Sequence, residues 1–226
     1  MFLDEVLFGA FPYVAIVLAV VVSLYRYFTD RFSFSSFSSQ FLENRTLFWG
    51  SVPWHYGVIT ILLAHLLVLI LPDVWTTIIA EPARLYTLEV IGLVLSLSAT
   101  LALLLLIVRR VISGRIMAVT SKMDWVLLLV LLTQMALGFW VALVFRWGSD
   151  WYVHTAVPWL ISLVKLDPKL EFVTSLPWVI KLHMLGGFVI IALFPFTRLV
   201  HAVTFPVTYL WRPYQVVVWN RRHTQQ

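Results

Sequence analysis

An all-α membrane protein, a bundle of five transmembrane helices, is what this sequence predicts, and three observations carry that expectation. The chain is 61% hydrophobic and only 12% charged, with a mean hydropathy of +0.92. That composition cannot supply a water-soluble surface to a chain of 226 residues. Five separate stretches reach the roughly 20 apolar residues needed to cross the hydrocarbon core. The basic residues collect between those stretches, as orientation signals at a membrane do. A net charge of +5 could otherwise suggest nucleic acid, but its placement between apolar runs argues against such a partner.

The first stretch runs from Val6 to Tyr25, after Asp4 and Glu5. It lacks a basic leader and a small-residue cleavage site, and so reads as a retained span rather than a signal peptide. The others run from Trp54 to Trp75, Leu88 to Val108, Trp125 to Phe145 and Trp178 to Val200. Trp54, Trp75, Trp125 and Trp178 stand at their ends, the position of an interfacial aromatic belt. Pro12 and Pro195 lie inside spans and predict bends rather than breaks, since neighbouring helices can cover the freed carbonyls. The stretch Arg31 to Gln40, rich in Ser and Phe, suits an interfacial loop. Trp151 to Leu166 has near-helical apolar spacing, is too short to span, and contains Pro158. It reads as an interfacial helix.

Eleven of the sixteen Lys and Arg residues fall in the first connection, the third connection, and the last span's end with the tail. Five fall in or beside the second and fourth connections: Arg84, Arg146, Lys165, Lys169 and Lys181. This asymmetry places the N-terminus outside and the C-terminus in the cytoplasm. Residues 1–201 then form the membrane domain, and 202–226 a cytoplasmic tail too apolar to be free, which suits a docking segment for partner subunits. The chain has no cysteine, so it can hold neither thiolate zinc nor iron–sulfur clusters.

Four of the six histidines lie in two spans: His55 and His65 in the second, His183 and His201 in the fifth. An imidazole in the bilayer core is costly unless paired or liganded, so these are functional candidates. His55 and His65 are roughly 15 Å apart along a helix axis, and His183 and His201 about 27 Å apart on one face. Antiparallel packing matches His55 with His201 and His65 with His183, provided tilt, the Pro195 bend and side-chain reach absorb the ~12 Å mismatch. Two such pairs are what two b haems require. With both axial positions filled by protein, iron has no open site, which favours electron transfer over oxygen chemistry. Gly57, Ala64, Gly186 and Gly187 flank the ligands and would let a flat macrocycle approach the backbone. Arg109, Arg110 and Arg198 lie where the propionates of the His55/His201 haem would emerge, or serve only topology. Apart from Asp73 near the end of the second, Glu89, at a helix start, is the one acidic residue in the spans. The alternative for the four histidines is a proton relay or ion channel.

Several blocks carry a family resemblance covering nearly the whole chain. The sharpest is Phe194-Pro195-Phe196-Thr197-Arg198-Leu199-Val200-His201, followed by Pro206-Val207-x-Tyr209-Leu210 and Tyr214-Gln215. Others are Arg26-Tyr27, Ser38-Ser39-Gln40, His55 with His65, Arg109-Arg110, Gln134-x-Ala136-Leu137-Gly138 and Leu182-His183-x-x-x-Gly187. In these the sequence resembles the gamma (cytochrome b) subunit of membrane-bound respiratory nitrate reductase. The resemblance implies a multi-pass protein of a prokaryotic inner membrane with five spans and two b haems, paired as above. It also implies quinol oxidation near the outer haem, and electron delivery to a cytoplasmic iron–sulfur subunit and then a molybdenum catalytic subunit. Ala64 and His65 fall at the family's quinol site. Ala64 replaces the family's usual glycine, and Leu85 stands where a quinol-site lysine is usual, leaving Arg84 as the nearest basic residue. A cytochrome b anchor of a sulfite- or heterodisulfide-reductase-type complex is the neighbouring alternative, and the block after His201 favours nitrate reductase.

Overall fold

The computed structural model describes residues 2–30 and 45–203, and among these there are helices and short connections but no strand. Five helices are long and apolar enough to cross a membrane: Phe2–Thr29, Thr46–Ile70, Pro82–Ile112, Lys122–Val144 and Trp178–Phe196. Large apolar side chains such as Leu24, Ile59, Leu62, Val94 and Leu129 stand exposed on them. A surface this apolar is matched to lipid rather than water. The stretch at 31–40 and residues 204–226 of the expected tail lie outside the described residues.

The first span is α1 (Phe2–Asp4), a π-helical stretch Glu5–Ala10, and α2 (Phe11–Thr29). Pro12 falls in the first turn of α2, where its missing N–H breaks no established bond, and the chain passes through without interruption. The second span is α3 (Arg45–Ile70). It begins earlier than the apolar run and stops at Leu71, because Pro72 opens a new short helix, α4 (Pro72–Ile79). The third is α5 (Pro82–Ile112), followed by a short turn of helix, α6 (Gly114–Ala118). The fourth, α7 (Lys122–Val144), starts with a capping box in which Ser121 and Asp124 satisfy each other's backbone N–H.

Two tryptophans do not sit in a lipid-facing belt. Trp54 and Trp75 are buried. Trp54 packs with Ala99, Ala102, Leu103 and Met135, and Trp75 donates its indole N–H to the Ser149 carbonyl at 3.2 Å. The stretch expected to lie along the interface also differs. It forms α8 (Gly148–His154) and α9 (Ala156–Val164), parting at Thr155, with Pro158 accommodated in the first turn of α9. Both fold inward. Val153, Val157, Trp159 and Leu163 are buried, Trp159 donates to Phe8 O at 3.1 Å, and Tyr13 Oη donates to Leu163 O at 2.9 Å. These apolar side chains join the buried clusters with Phe8, Val68 and Trp75, so the pair packs on the bundle.

After the short α10 (Glu171–Thr174) comes α11 (Trp178–Leu193). At its start, buried Lys181 pairs with Asp4 at 3.0 Å, fastening the first span to the last. The expected continuous helix to Val200 is corrected here. Pro195 ends α11, and two 3-10 turns, Phe194–Phe196 and Arg198–Ala202, follow around an extended Thr197. Pro195 has no N–H for the α ladder and its ring would strike the preceding turn. Arg26 from α2 covers the break by donating to Pro195 O at 2.6 Å. His201 therefore leaves the helical register that would have set it five turns from His183.

The helices form an open arc: α3 packs on α5, α5 on α7, α7 on α11 and α11 on α2. α3 and α11 make no comparably extensive contact with each other. Gly50 and Gly57, one heptad apart on α3, bring it close to α5. A Cβ at Gly57 would sit 3.0 Å from Ala99 Cβ and 3.3 Å from Leu95 O.

Candidate functional site

The four histidines form two pairs at opposite ends of the bundle. At one end the rings of His55 and His201 lie 6.3 Å apart, centre to centre, inclined at 72°. Two imidazoles on opposite sides of one metal ion need about 2.0–2.1 Å from metal to each nitrogen, which with the ring radii comes to about 6 Å between centres. The break at Pro195 makes this possible: the 3-10 turn brings His201 to His55 without the tilt a continuous helix would need.

At the other end His65 and His183 line one cavity of about 500 Å³ between α3, α5, α7 and α11, with Trp75, Tyr152 and Trp159 in its wall. That is the size and apolar character of a cofactor site. Ala64 and Gly187 line the same cavity, and nothing stands within 4 Å of a Cβ built on Gly187.

All four imidazoles are held the same way. Nδ1 of His55 faces Ser51 O at 2.7 Å, that of His65 faces Ile61 O at 2.8 Å, and that of His183 faces Gln134 O at 3.2 Å. His201 Nδ1 faces Arg198 O. A carbonyl only accepts, so each Nδ1 carries the proton and each Nε2 keeps its lone pair. This is how proteins orient metal-ligating histidines. His183 is further seated from α7. Gln134 Nε2 donates to His183 O at 3.0 Å, while a Cβ on Gly138 would lie 2.8 Å from His183 Cε1. Gly186 leaves room for the Gln134 amide, whose Oε1 is buried without a partner among the described residues. Two imidazoles per site, the 6.3 Å separation at the His55/His201 end and the apolar cavity at the His65/His183 end are a donor set and a space that fit b haem.

The other expected residues fall as follows. Gly57 is spent on the contact with α5 and does not border the cavity. Arg198 forms a two-point ion pair with Asp124, Nε to Oδ1 at 2.7 Å and Nη2 to Oδ2 at 2.9 Å. Arg110 donates to Thr120 Oγ1 at 3.0 Å, and Arg109 is buried. These three arginines thus cluster at the His55/His201 end, with Arg198 already engaged by a carboxylate. Arg84 is exposed and outside the cavity lining.

Sequence reasoning missed two residues in the cavity wall, Tyr152 and Ser149. The Tyr152 ring packs edge-on against His65, 5.2 Å between centres, and burial pushes its phenol up to about 12, so it remains protonated. Ser149 donates its backbone N–H to Glu89 at 2.9 Å. Neither residue carries a signal in one sequence, because both sit in a loop-and-short-helix segment that only the fold brings back over the cavity.

The chain is similar to known proteins along nearly its whole length. The profile of the nitrate reductase gamma subunit family matches residues 4–220. The nitrate reductase gamma chain of Bacillus subtilis is 32% identical over 224 residues, covering 96% of this chain and 98% of that protein. The respiratory nitrate reductase 1 gamma chain of Escherichia coli is 27% identical over 226 residues, covering 96% and 97%. The nitrate reductase-like protein NarX of Mycobacterium tuberculosis is 31% identical over 220 residues; the match takes in 94% of this chain but only 33% of that longer protein. With both histidine pairs and nearly all of the five spans inside the matched region, the chain belongs to the nitrate reductase gamma subunit family.

Proposed function

We propose that this chain is the membrane subunit that oxidises quinol for a nitrate reductase, binding two b haems and delivering electrons to an iron–sulfur subunit and through it to a molybdenum catalytic subunit. The observation that carries the reading is the pair of bis-histidine sites, each imidazole with Nδ1 tied to a carbonyl. His55 and His201 would hold one haem, His65 and His183 the other. A haem with both axial positions occupied supplies one-electron exchange without an open position for oxygen or substrate.

The chain's own residues do the rest. The carbonyls of Ser51, Ile61, Gln134 and Arg198 fix ring orientation and tautomer. Trp75, Tyr152 and Trp159 give the cavity an aromatic wall, which suits a flat apolar macrocycle. Arg109 and Arg110 place positive charge at the His55/His201 end, where propionates would be stabilised. Ala64 and His65 border the cavity where quinol would meet it, and Arg84 supplies a solvated cation near that mouth. The Lys and Arg asymmetry supports a multi-pass protein of a prokaryotic inner membrane, with the N-terminus outside, the His65/His183 end toward the outer face, and the tail from Ala202 in the cytoplasm docking the soluble subunits. Quinol protons are then released outside while electrons leave inside, separating charge without a proton channel.

The test is the assembled complex in vesicles, supplied with a quinol donor and nitrate, with outside pH and membrane potential followed together. Acidification outside with a potential is the expected result. Proton release on the cytoplasmic side, or turnover without a potential, would contradict the reading.

A further inference from the structure

We propose that Glu89 is the base that takes the proton from quinol at the border of the cavity lined by His65 and His183, a role that rests on the quinol-oxidising reading above. Glu89 belongs to the face of α5 that lines this cavity together with Gly92 and Ser96, three and seven residues on, as helical geometry requires of one face. The titratable side chains in the lining are Glu89 from α5, His65 from α3, Tyr152 from α8 and His183 from α11. No Lys, Arg or Asp lines it.

Three of those four cannot accept the proton. Each histidine has Nδ1 already protonated against a carbonyl, and its Nε2 is committed to the ligand role. Tyr152 is a phenol, which carries its own proton at neutral pH. Glu89 remains. Its Oε1 accepts from Ser149 N–H at 2.9 Å, which aims the carboxylate, while Oε2 has no hydrogen-bond partner among the described residues. Ser149 is itself held by the Trp75 indole, 3.2 Å from its carbonyl, so three elements position one carboxylate. A quinol losing two electrons must also lose two hydroxyl protons. In the proposed step a quinol O–H bond breaks, its proton passes to Glu89 Oε2, and the electrons leave one at a time to the one-electron acceptor of this cavity. The carboxylate then releases the proton to water and is ready for the second.

A positioned base contributes typically 10²–10⁴-fold, so Glu89→Gln, which keeps an oxygen for Ser149 N–H, should slow quinol-driven reduction of the b-type bands by about tenfold or more. In the same complex the bands should reach full height with dithionite, and an unreactive quinone analogue should bind as in the parent. Glu89→Asp should recover part of the rate. Parental quinol rates in Glu89→Gln would overturn the assignment while leaving the quinol reading intact. A parent complex whose bands quinol cannot reduce would overturn both. Should Glu89→Gln not assemble, carbodiimide labelling of the parent complex decides, read on the peptide containing Glu89: protection by the analogue supports the role, and labelling indifferent to it refutes it.

Discussion

Gly138 is glycine because of the histidine opposite it. The ring of His183 occupies the space where a side chain would begin, with Cε1 2.8 Å from an ideal Cβ, closer than packed carbons come. Gly138→Ala should therefore displace the ring, pull Nδ1 from Gln134 O, and weaken haem retention at the His65/His183 end. Reduced-minus-oxidised spectra should show one b component diminished and the other at parental height. Equal loss of both would mean that Gly138 supports the fold rather than this ligand. At this scale the sequence was only partly legible. The histidines announce themselves, since imidazole within apolar runs needs a partner. The glycines do not: Gly57 and Gly138 look equivalent in a single sequence, yet one admits a helix and the other a ligand ring.

The decisive element is the segment after α11. A proline within an apolar run reads equally as a kink or an end, and the choice depends on whether something covers the carbonyls it frees. Here Arg26 covers Pro195 O and Thr197 Oγ1 accepts from Leu199 N–H, so the chain can leave the helix and turn His201 toward His55. The Arg198–Asp124 pair anchors that turn to the N-terminal cap of α7. Asp124→Asn would remove the charge that holds Arg198 and leave a cation in a largely buried position, a costly change. Its expected effect is confined to the His55/His201 end: a shifted or partly lost b component there, with the His65/His183 component at parental height. A difference in both components would show that the cap of α7 serves the whole bundle. The capping box itself, Ser121-x-x-Asp124, was present in the sequence; its ion pair across 74 positions was not.

For the molecule as a whole, five spans and an all-helical class follow directly from the apolar runs, because a bilayer accepts few other architectures. The arrangement of the spans does not follow. The arc from α3 through α5 and α7 to α11 leaves the two histidine-bearing helices without extensive mutual contact, and the cavity of about 500 Å³ opens between them. The packing of α8 and α9 on the bundle was also hidden, since an amphipathic segment suits a membrane surface and a bundle equally well. All of this serves one central claim, that the four histidines act as two independent pairs. The most direct test is a potentiometric titration of the b-type spectrum in the complexes carrying His55→Ala, His201→Ala, His65→Ala and His183→Ala singly. The account predicts that His55→Ala and His201→Ala abolish one and the same component, and that His65→Ala and His183→Ala abolish the other. Loss of the same component in His55→Ala and His65→Ala would contradict it.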